Sequence, residues 1–494
     1  MTQSQTTLRT RRPSGSRNDL VVATTFVQAA RDMGYLSVSS AIAELVDNSI
    51  QASAKHVTIS ISRNDESGYP QIEVEDDGVG MNADVLSTCL QFGGSTRFGD
   101  RASLGRFGVG LPAASLSQSR RVEVRSWQAR GPVLVVDLDL DTVSAGATPN
   151  FTAACVFDSQ PPGTPSGTRV TWTTCDRIEY KRLTWLERSL RRDLGRIFRD
   201  FIRDGLSLVV GTDDVHPIDP LMRNVTARNA TPASPLADLV YEFAHGDQGR
   251  TSTVTVAFTE LPVDPWSAMD SKEKRTLGIV GGAGVSVMRA GREISNGWLF
   301  MGEKRKENYD DWWRCEIRFD PELDDLFGIT NTKQGIRPSQ HLLELLSMDI
   351  EPIARLLNSR ARQAFEAAKF AAAASSSCRM AEAAEDVLPA LGRGPQFHGP
   401  LTYALRSEAR SGDAMFTADL EGDVLTVTVD RDHAAFAALY APLQTMESEE
   451  GRRLRSAIEL FILSYARAAL DSPASPNNLL PGWSTVYSKM VRHL

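Results

Sequence analysis

The chain has 494 residues, of which 41% are hydrophobic and 23% charged, a composition that excludes a fibrous or wholly disordered protein. Its 54 lysines and arginines against 62 aspartates and glutamates give a net charge of −8, which argues against a cationic surface for indiscriminate nucleic-acid binding. Five scattered cysteines without a CxxC or CxxH spacing indicate reduced thiols, with neither a disulfide framework nor a zinc site. No segment resembles a signal peptide or a membrane span, so a cytoplasmic location is expected.

The elements of the first 210 residues follow from apolar spacing and glycine content. Residues 1–18 are predicted to form a flexible arm, and the apolar spacing over 39–54 predicts a helix with one polar face. Alternating segments at 57–61 and 72–74 flank a turn and predict a β-hairpin. A glycine-rich stretch at 93–110 leads into a helix, and strands are expected around 122–127, 133–140, 153–157 and 168–173. The helix after Tyr180 closes this part near residue 210.

The remainder of the chain divides into three further segments. Strand patterns at 253–258, 284–288 and 314–319 indicate a second strand-rich domain over 211–345. A helical connector is expected at 346–391, and the linker composition that follows separates a last α/β unit at 392–494. The predicted boundaries are therefore 1–18, 19–210, 211–345, 346–391 and 392–494.

Two acidic motifs carry residue types that a nucleotide site needs. In the E-x-x-D-N motif at 44–48, one helical turn separates the Glu44 carboxylate, able to accept a proton from water, from the Asn48 oxygen, which suits Mg²⁺. In the motif D-x-G-x-G, Asp76 at a strand end can accept a hydrogen bond from an exocyclic amine, while Gly78 and Gly80 let backbone approach a flat ring. Taken alone, these motifs also fit an exposed helix face and an ordinary Asp-Gly turn.

The third motif is a glycine-rich loop that runs into a helix. Such a loop offers unpaired N–H groups and the positive end of a helix dipole to phosphates, although most glycine-rich loops are ordinary surface loops. The order of helix, hairpin, acidic turn, glycine loop and helix favours a nucleotide site. The candidate residues of the loop are Gly94, Ser95, Gly105, Arg106, Phe107, Gly108, Val109 and Gly110.

Together the three motifs resemble those of the GHKL ATPases, the superfamily of gyrase, the ninety-kilodalton heat-shock chaperone, histidine kinases and MutL. The resemblance implies an α+β protein whose first domain is a Bergerat-type two-layer α/β sandwich that binds ATP and Mg²⁺. It implies that Glu44 is the catalytic base, Asn48 the magnesium ligand and Asp76 the adenine reader, with Asp47 supporting Asn48. The cofactor-binding set is completed by Gly78, Gly80, Met81 and Thr168, the last in a Gly-Thr pair that this family places near adenine.

The second domain resembles that of MutL, gyrase and MORC-type ATPases through the segments 288–292 and 330–334. In those proteins a loop lysine reaches the terminal phosphate, and Lys333 is expected to do so here; a solvated loop lysine is the alternative. The resemblance implies a ribosomal-S5-domain-2-like transducer domain, followed by a small C-terminal α/β domain. Histidine kinases typically lack a base at the position of Glu44, so a MutL/MORC-type ATPase is favoured.

The resemblance implies a slow ATPase in which ATP binding closes a homodimer and couples the domains. One interpretation is a DNA-associated clamp in bacterial DNA maintenance or antiviral defence. The alternative is an ATP-switched signalling or scaffold protein that recruits a protein partner through the C-terminal domain and does not bind DNA. No membrane partner is expected.

Basic residues at helical spacing are the feature that would bind DNA. On the helix after Tyr180, arginines recur every three or four residues and predict a cationic stripe about 22 Å long. A solvated face neutralised by neighbouring acids is the alternative. The stripe comprises Arg188, Arg192, Arg196, Arg199 and Arg203, and Arg289, Arg292 and the cluster at 304–306 would add contacts.

Overall fold

In the computed structural model of the chain, the residues described are 23–32, 34–35, 37–65, 67–94, 109–147, 150–156, 164–178, 180, 182–224, 231–245, 249–330, 335–388, 399–410, 414–446, 448–471, 486 and 490. Across these residues, no helix combines the length and the apolar character needed to span a membrane. Several of the predicted residues lie outside the described part: the arm at 1–18, Ser95, Gly105, Arg106, Phe107, Gly108 and Lys333.

The first region, 23–224, is built on a mixed sheet. Its described strands are β1 (His56–Arg63), β2 (Pro70–Asp76), β3 (Arg121–Trp127), β4 (Val133–Asp139), β5 (Ala154–Val156), β6 (Gly167–Thr173), β7 (Ser207–Val210) and β8 (Asp213–Asp214). Their order is β5-β4-β3-β6-β2-β1-β7-β8; β1 and β7 run parallel and all other neighbours antiparallel. The predicted hairpin is confirmed as β1 and β2.

Helices cover one face of this sheet. They are α1 (Ala23–Asp32), α2 (Val38–Gln51), α3 (Ala83–Thr88), α4 (Gly110–Gln118), α5 (Leu140–Ser144), α6 (Leu183–Ile197) and α7 (Arg199–Arg203). The period of two along β2 turns Ile72, Val74 and Asp76 to the helices, because successive strand residues point to opposite faces. The residues between them, Glu73 and Glu75, lie on the other face, where Arg169 of β6 pairs with both.

The second region, 231–330, follows the first in the sequence and contains a second sheet. Its strands are β9 (Ser234–Pro235), β10 (Leu239–His245), β11 (Arg250–Glu260), β12 (Val285–Arg289), β13 (Arg292–Gly297) and β14 (Trp313–Phe319). They are ordered β10-β11-β14-β12-β13, and β9 pairs with β11. Three short helices belong to it: α8 (Val263–Ser267), α9 (Ser271–Thr276) and α10 (Asp324–Phe327).

One long helix joins the second region to the third. Helix α11 (Gln340–Ala384) has 45 residues, and its first half packs Leu342, Leu346 and Ile350 into the core of the second region. Its last turns contribute Phe370 and Ala374 to the core of the third region, so the helix belongs to both cores. The third region adds β15 (Thr402–Glu408), β16 (Phe416–Glu421), β17 (Val424–Asp430), α12 (Ala441–Gln444) and α13 (Glu449–Asp471), with strand order β15-β17-β16.

Candidate nucleotide-binding site

The candidate site is organised around α2. Ser37 caps the helix in a capping box with Ser40, so the N–H groups of these two residues are satisfied where the helix begins. Glu44 is 4% exposed, and its carboxylate lies against the first residue of α4. A Cβ at Gly110 would overlap Oε1 of Glu44, so glycine is what lets the start of α4 approach the carboxylate. The unpaired N–H groups of a helix start favour a negative charge at this position.

A tyrosine that the sequence reasoning missed lies beside Glu44. Tyr35 is buried, and burial together with the nearby carboxylates of Glu44 and Asp47 raises the pKa of its hydroxyl. The hydroxyl oxygen is buried and makes no hydrogen bond within the part of the chain that the structure describes. An isolated tyrosine ahead of a helix carries no local pattern that distinguishes it from a core residue.

Asp76 lies at the end of β2, on the face that α2 covers. The hydroxyl of Ser49 donates to its Oδ2 over 2.8 Å, and the N–H of Gly78 donates to its Oδ1 over 2.9 Å. Burial raises the pKa of Asp76, and these two hydrogen bonds oppose that rise. A Cβ on Gly78 would lie 2.7 Å from the Cβ of Ala52, so the turn after Asp76 needs glycine to pass beneath the end of α2.

The end of β3 and the start of β6 line another side of the candidate site. The N–H of Met81 donates to Oγ of Ser126 over 2.7 Å, and Ser126 also shares a 3.0 Å hydrogen bond with the hydroxyl of Thr168. Gly80 has a φ of +67°, and a Cβ there would overlap the carbonyl of Trp127. The structure thus brings Asp76, Gly78, Gly80, Met81 and Thr168 to one end of the sheet.

The described ends of the glycine-rich loop lie at two helices. Gly94 follows α3, where its neighbour Gly93 has a φ of +82°. Val109 is the residue before α4, and Gly110 is the first residue of that helix. The loop therefore starts after α3 and ends at the helix start that contacts Glu44.

Asp47 makes its contact with the second region. Its carboxylate is fully buried, and Oδ1 lies 2.9 Å from Nε of Arg292, at the start of β13. Arg292 is itself 3% exposed, and its guanidinium lies 5.8 Å from the centre of the Phe198 ring. The expected DNA contact at Arg292 is therefore wrong, because its charge is buried against the helix that carries Glu44.

The predicted cationic stripe is also wrong as a continuous surface. The helix after Tyr180 breaks at Phe198 into α6 and α7, and the side chain of Arg199 is fully buried between Glu293 and Glu316 of the second region. Arg196 pairs with Glu293 over 2.8 Å, whereas Arg188 and Arg192 remain exposed. Two other expected DNA contacts are buried in ion pairs of the second region: Arg289 with Asp324 and Lys304 with Asp310.

Comparison with known proteins identifies this part of the chain. Residues 36–156 match the family of histidine kinase-, DNA gyrase B- and HSP90-like ATPases. This segment is a GHKL-type ATPase domain. The match ends at residue 156 and so covers the E-x-x-D-N motif, Asp76 and the glycine-rich loop.

Two curated proteins are similar to the GHKL segment. The DNA mismatch repair protein MutL of Rhizorhabdus wittichii is 35% identical over 98 residues, which are 19% of this chain and 16% of that protein. Protein MICRORCHIDIA 6 of Arabidopsis thaliana is 31% identical over 103 residues, 20% of this chain and 15% of that protein. The matched part spans about a sixth of the length of these relatives. The predicted MutL/MORC-type recognition is confirmed for this domain.

The residues of the GHKL domain fit ATP with Mg²⁺. The carboxylate of Asp76 accepts hydrogen bonds from Ser49, Gly78 and the backbone of Thr168, and a carboxylate with about four acceptor sites can still accept one from a neutral amine such as that of adenine. Among the described residues, no three His, Cys, Asp or Glu side chains converge as a metal cage. A metal at the half-buried Asn48 would take its other ligands from phosphate and water, as Mg²⁺ commonly does.

Proposed function

We propose that the chain is a Mg²⁺-dependent ATPase in which α2 serves both ends of the nucleotide. The observation that carries the proposal is the placement of two side chains on this helix. Glu44 lies against the start of α4, where phosphates would bind, and Ser49, little more than one turn later, holds Asp76. One rigid helix therefore fixes the hydrolytic end relative to the adenine end.

Each residue then has a defined task. Asp76 accepts a hydrogen bond from the adenine amine, and the N–H groups at the start of α4 bind phosphate oxygens. The oxygen of Asn48 would hold Mg²⁺, which would supply positive charge that neutralises the phosphates. Glu44 accepts a proton from the attacking water as its oxygen bonds to the γ-phosphorus and the bond to ADP breaks.

The role of the second region is an extension of this proposal. It would be the ribosomal-S5-domain-2-like transducer, with Lys333 reaching the terminal phosphate from the loop that the Ile329–Ile336 bridge closes. Turnover would be slow, and ATP binding would close a homodimer. Support comes from the similarity of the GHKL domain to MutL and MICRORCHIDIA 6, and from the direct contact of Arg292 with Asp47.

Two variants test the ATPase proposal. Glu44→Ala should bind ATP but release no phosphate, because it keeps the adenine contact and loses the base; Asp76→Asn should not bind ATP. Binding by calorimetry and phosphate release in Mg²⁺ measure the two steps separately. The control is Glu421→Ala, which removes an exposed carboxylate from β16 in the third region and should change neither step. Phosphate release by Glu44→Ala at the wild-type rate would remove Glu44 from the role of base.

Whether the ATPase acts on DNA is a separate question with two candidate answers. The DNA-clamp interpretation is supported by the similarity to a DNA mismatch repair protein, MutL, and by the exposed Arg188 and Arg192. The scaffold interpretation is supported by the burial of Arg199, Arg289 and Arg292 in ion pairs. Sedimentation with a non-hydrolysable ATP analogue, with and without duplex DNA, separates the two. A clamp should co-sediment with DNA in a salt-dependent way, and Arg188→Ala with Arg192→Ala should weaken that binding.

A further inference from the structure

Two neighbouring residues at the start of β13 contact different helices of the first region. Arg292 pairs with Asp47 of α2 over 2.9 Å. The next residue, Glu293, pairs through Oε1 with Arg196 of α6 over 2.8 Å and through Oε2 with Arg199 of α7 over 3.0 Å. Through these two residues β13 contacts both α2, the helix that carries the proposed catalytic base, and the α6–α7 segment.

We propose that Arg292 is a positioning residue of the ATPase reaction, which sets the placement of Glu44 and Asn48 by holding Asp47. This inference rests on the proposed function. Asp47 lies three residues after Glu44, on the same stretch of helix surface, and directly before Asn48. Because a helix turn moves as a unit, a contact that fixes Asp47 also fixes the residues on either side of it.

The burial of the pair makes this contact sensitive to small movements. Asp47 is 0% exposed and Arg292 is 3% exposed, so separating them would leave two charges in a medium of low dielectric constant. The pair thus favours one position of α2 relative to β13. Removing its cation releases that restraint without touching a residue proposed to contact ATP or water.

The turn that presents Arg292 is itself held in an unusual conformation. Between β12 and β13, Ala290 has a φ of +46° and Gly291 a φ of +81°. A left-handed conformation is costly for alanine and persists when surrounding contacts enforce it. A Cβ on Gly291 would lie 3.6 Å from the ring of Phe201, which places the hairpin tip directly on α7. The hairpin tip therefore packs against α7, and from this position Arg292 reaches α2.

A neighbouring arginine on the same hairpin provides a matched control. Arg289 is also buried in an ion pair, with Nε 2.6 Å from Oδ1 of Asp324, but both residues belong to the second region. Arg289→Gln and Arg292→Gln make the same chemical change in similar surroundings. Only the second change affects the helix of the proposed active site.

The test first measures the melting temperature of both variants. It then compares their kcat and their ATP dissociation constant at a temperature below both melting points. Arg292→Gln should lower kcat about tenfold or more while the dissociation constant changes by less than about threefold, because the adenine contacts stay intact. Arg289→Gln should lose stability and keep kcat. Asp47→Asn, which keeps the shape of the side chain, should reproduce the loss in kcat if Arg292→Gln does not fold.

The outcomes separate this inference from the proposed function. If the wild-type chain does not hydrolyse ATP, or hydrolyses it at the same rate without Glu44, both the proposed function and this inference are overturned. Turnover that depends on Glu44, together with an unchanged kcat in Arg292→Gln or in Asp47→Asn, overturns this inference alone. Equal losses of kcat in Arg292→Gln and Arg289→Gln would assign the pair a purely structural role and also overturn it.

Discussion

Replacing Arg199 should weaken the junction between the first region and the second region. The guanidinium donates from Nη1 to Oε2 of Glu293 over 3.0 Å, and from Nη2 to Oε2 of Glu316 over 2.5 Å and to Oγ of Ser286 over 2.9 Å. Its side chain is fully buried. Arg199→Met fills a similar volume but leaves the carboxylates of two buried glutamates without this cation.

The expected cost follows from the bonds that are lost. Each hydrogen bond to a charged group contributes about 1.5–3 kcal/mol, so the two carboxylate bonds together contribute about 3–6 kcal/mol. Breaking a buried ion pair by removing one partner typically costs about 3–5 kcal/mol. Glu293 keeps Arg196 and Glu316 keeps Arg318 as partners, which moves the expectation to the lower end, about 3 kcal/mol.

Urea unfolding followed by tryptophan fluorescence measures this loss, since Trp312 and Trp313 report on the second region. The control is Arg192→Met on α6, where the side chain is 71% exposed and lies 3.2 Å from Asp193. An exposed pair of this kind contributes less than about 1 kcal/mol, so the control should unfold almost as the wild type does. The reasoning is refuted if the two variants lower the free energy of the first unfolding transition by the same amount.

Three further expectations concern separate sites. Burial raises the pKa of Asp76, so stability is lost as the pH rises from the unfolded pKa to the raised one, and the full cost is present above it. At pH 8 without ATP, Asp76→Asn should therefore melt above the wild type, yet show no ATP-induced rise in melting temperature. Ala290→Gly should relieve the left-handed turn and raise stability by about 0.5 kcal/mol in thermal melts, and a lower melting temperature would count against strain at this position. Exposed Cys155 should react first with a thiol reagent, because burial raises the pKa of both Cys89 and Cys175 to about 12; a fast phase that survives in Cys155→Ser would contradict this order.

The parts of the fold that the sequence predicted well depend on local periodicity. The spacing of apolar residues identified α2, which runs from Val38 to Gln51, and the alternation around the turn identified β1 and β2. Asp76 was predicted as a site residue because it ends a strand and precedes two glycines. Its partner Ser49 was missed, since a serine on a helix has no pattern until the strand beneath it is placed.

The arginines were misinterpreted for a related physical reason. A basic residue every third or fourth position indicates a solvated helix face when its partners are unknown. The partners of Arg199 lie 94 and 117 residues away, in strands of another sheet, and no local spacing reports such distances. The break of the helix at Phe198, which separates α6 from α7, likewise depends on packing in three dimensions.

The buried ion pairs between the first and second regions are not the contacts expected if stability were their only role. A buried ion pair gains little over apolar side chains of the same volume, because desolvation offsets the attraction. A buried ion pair adds geometric specificity, because it is favourable in one relative position of its partners and costly in others. Along α2, Glu44 meets the start of α4, Asp47 meets Arg292 of the second region, and Ser49 meets Asp76. We therefore expect a displacement imposed at any one of these contacts to reach the other two through this helix.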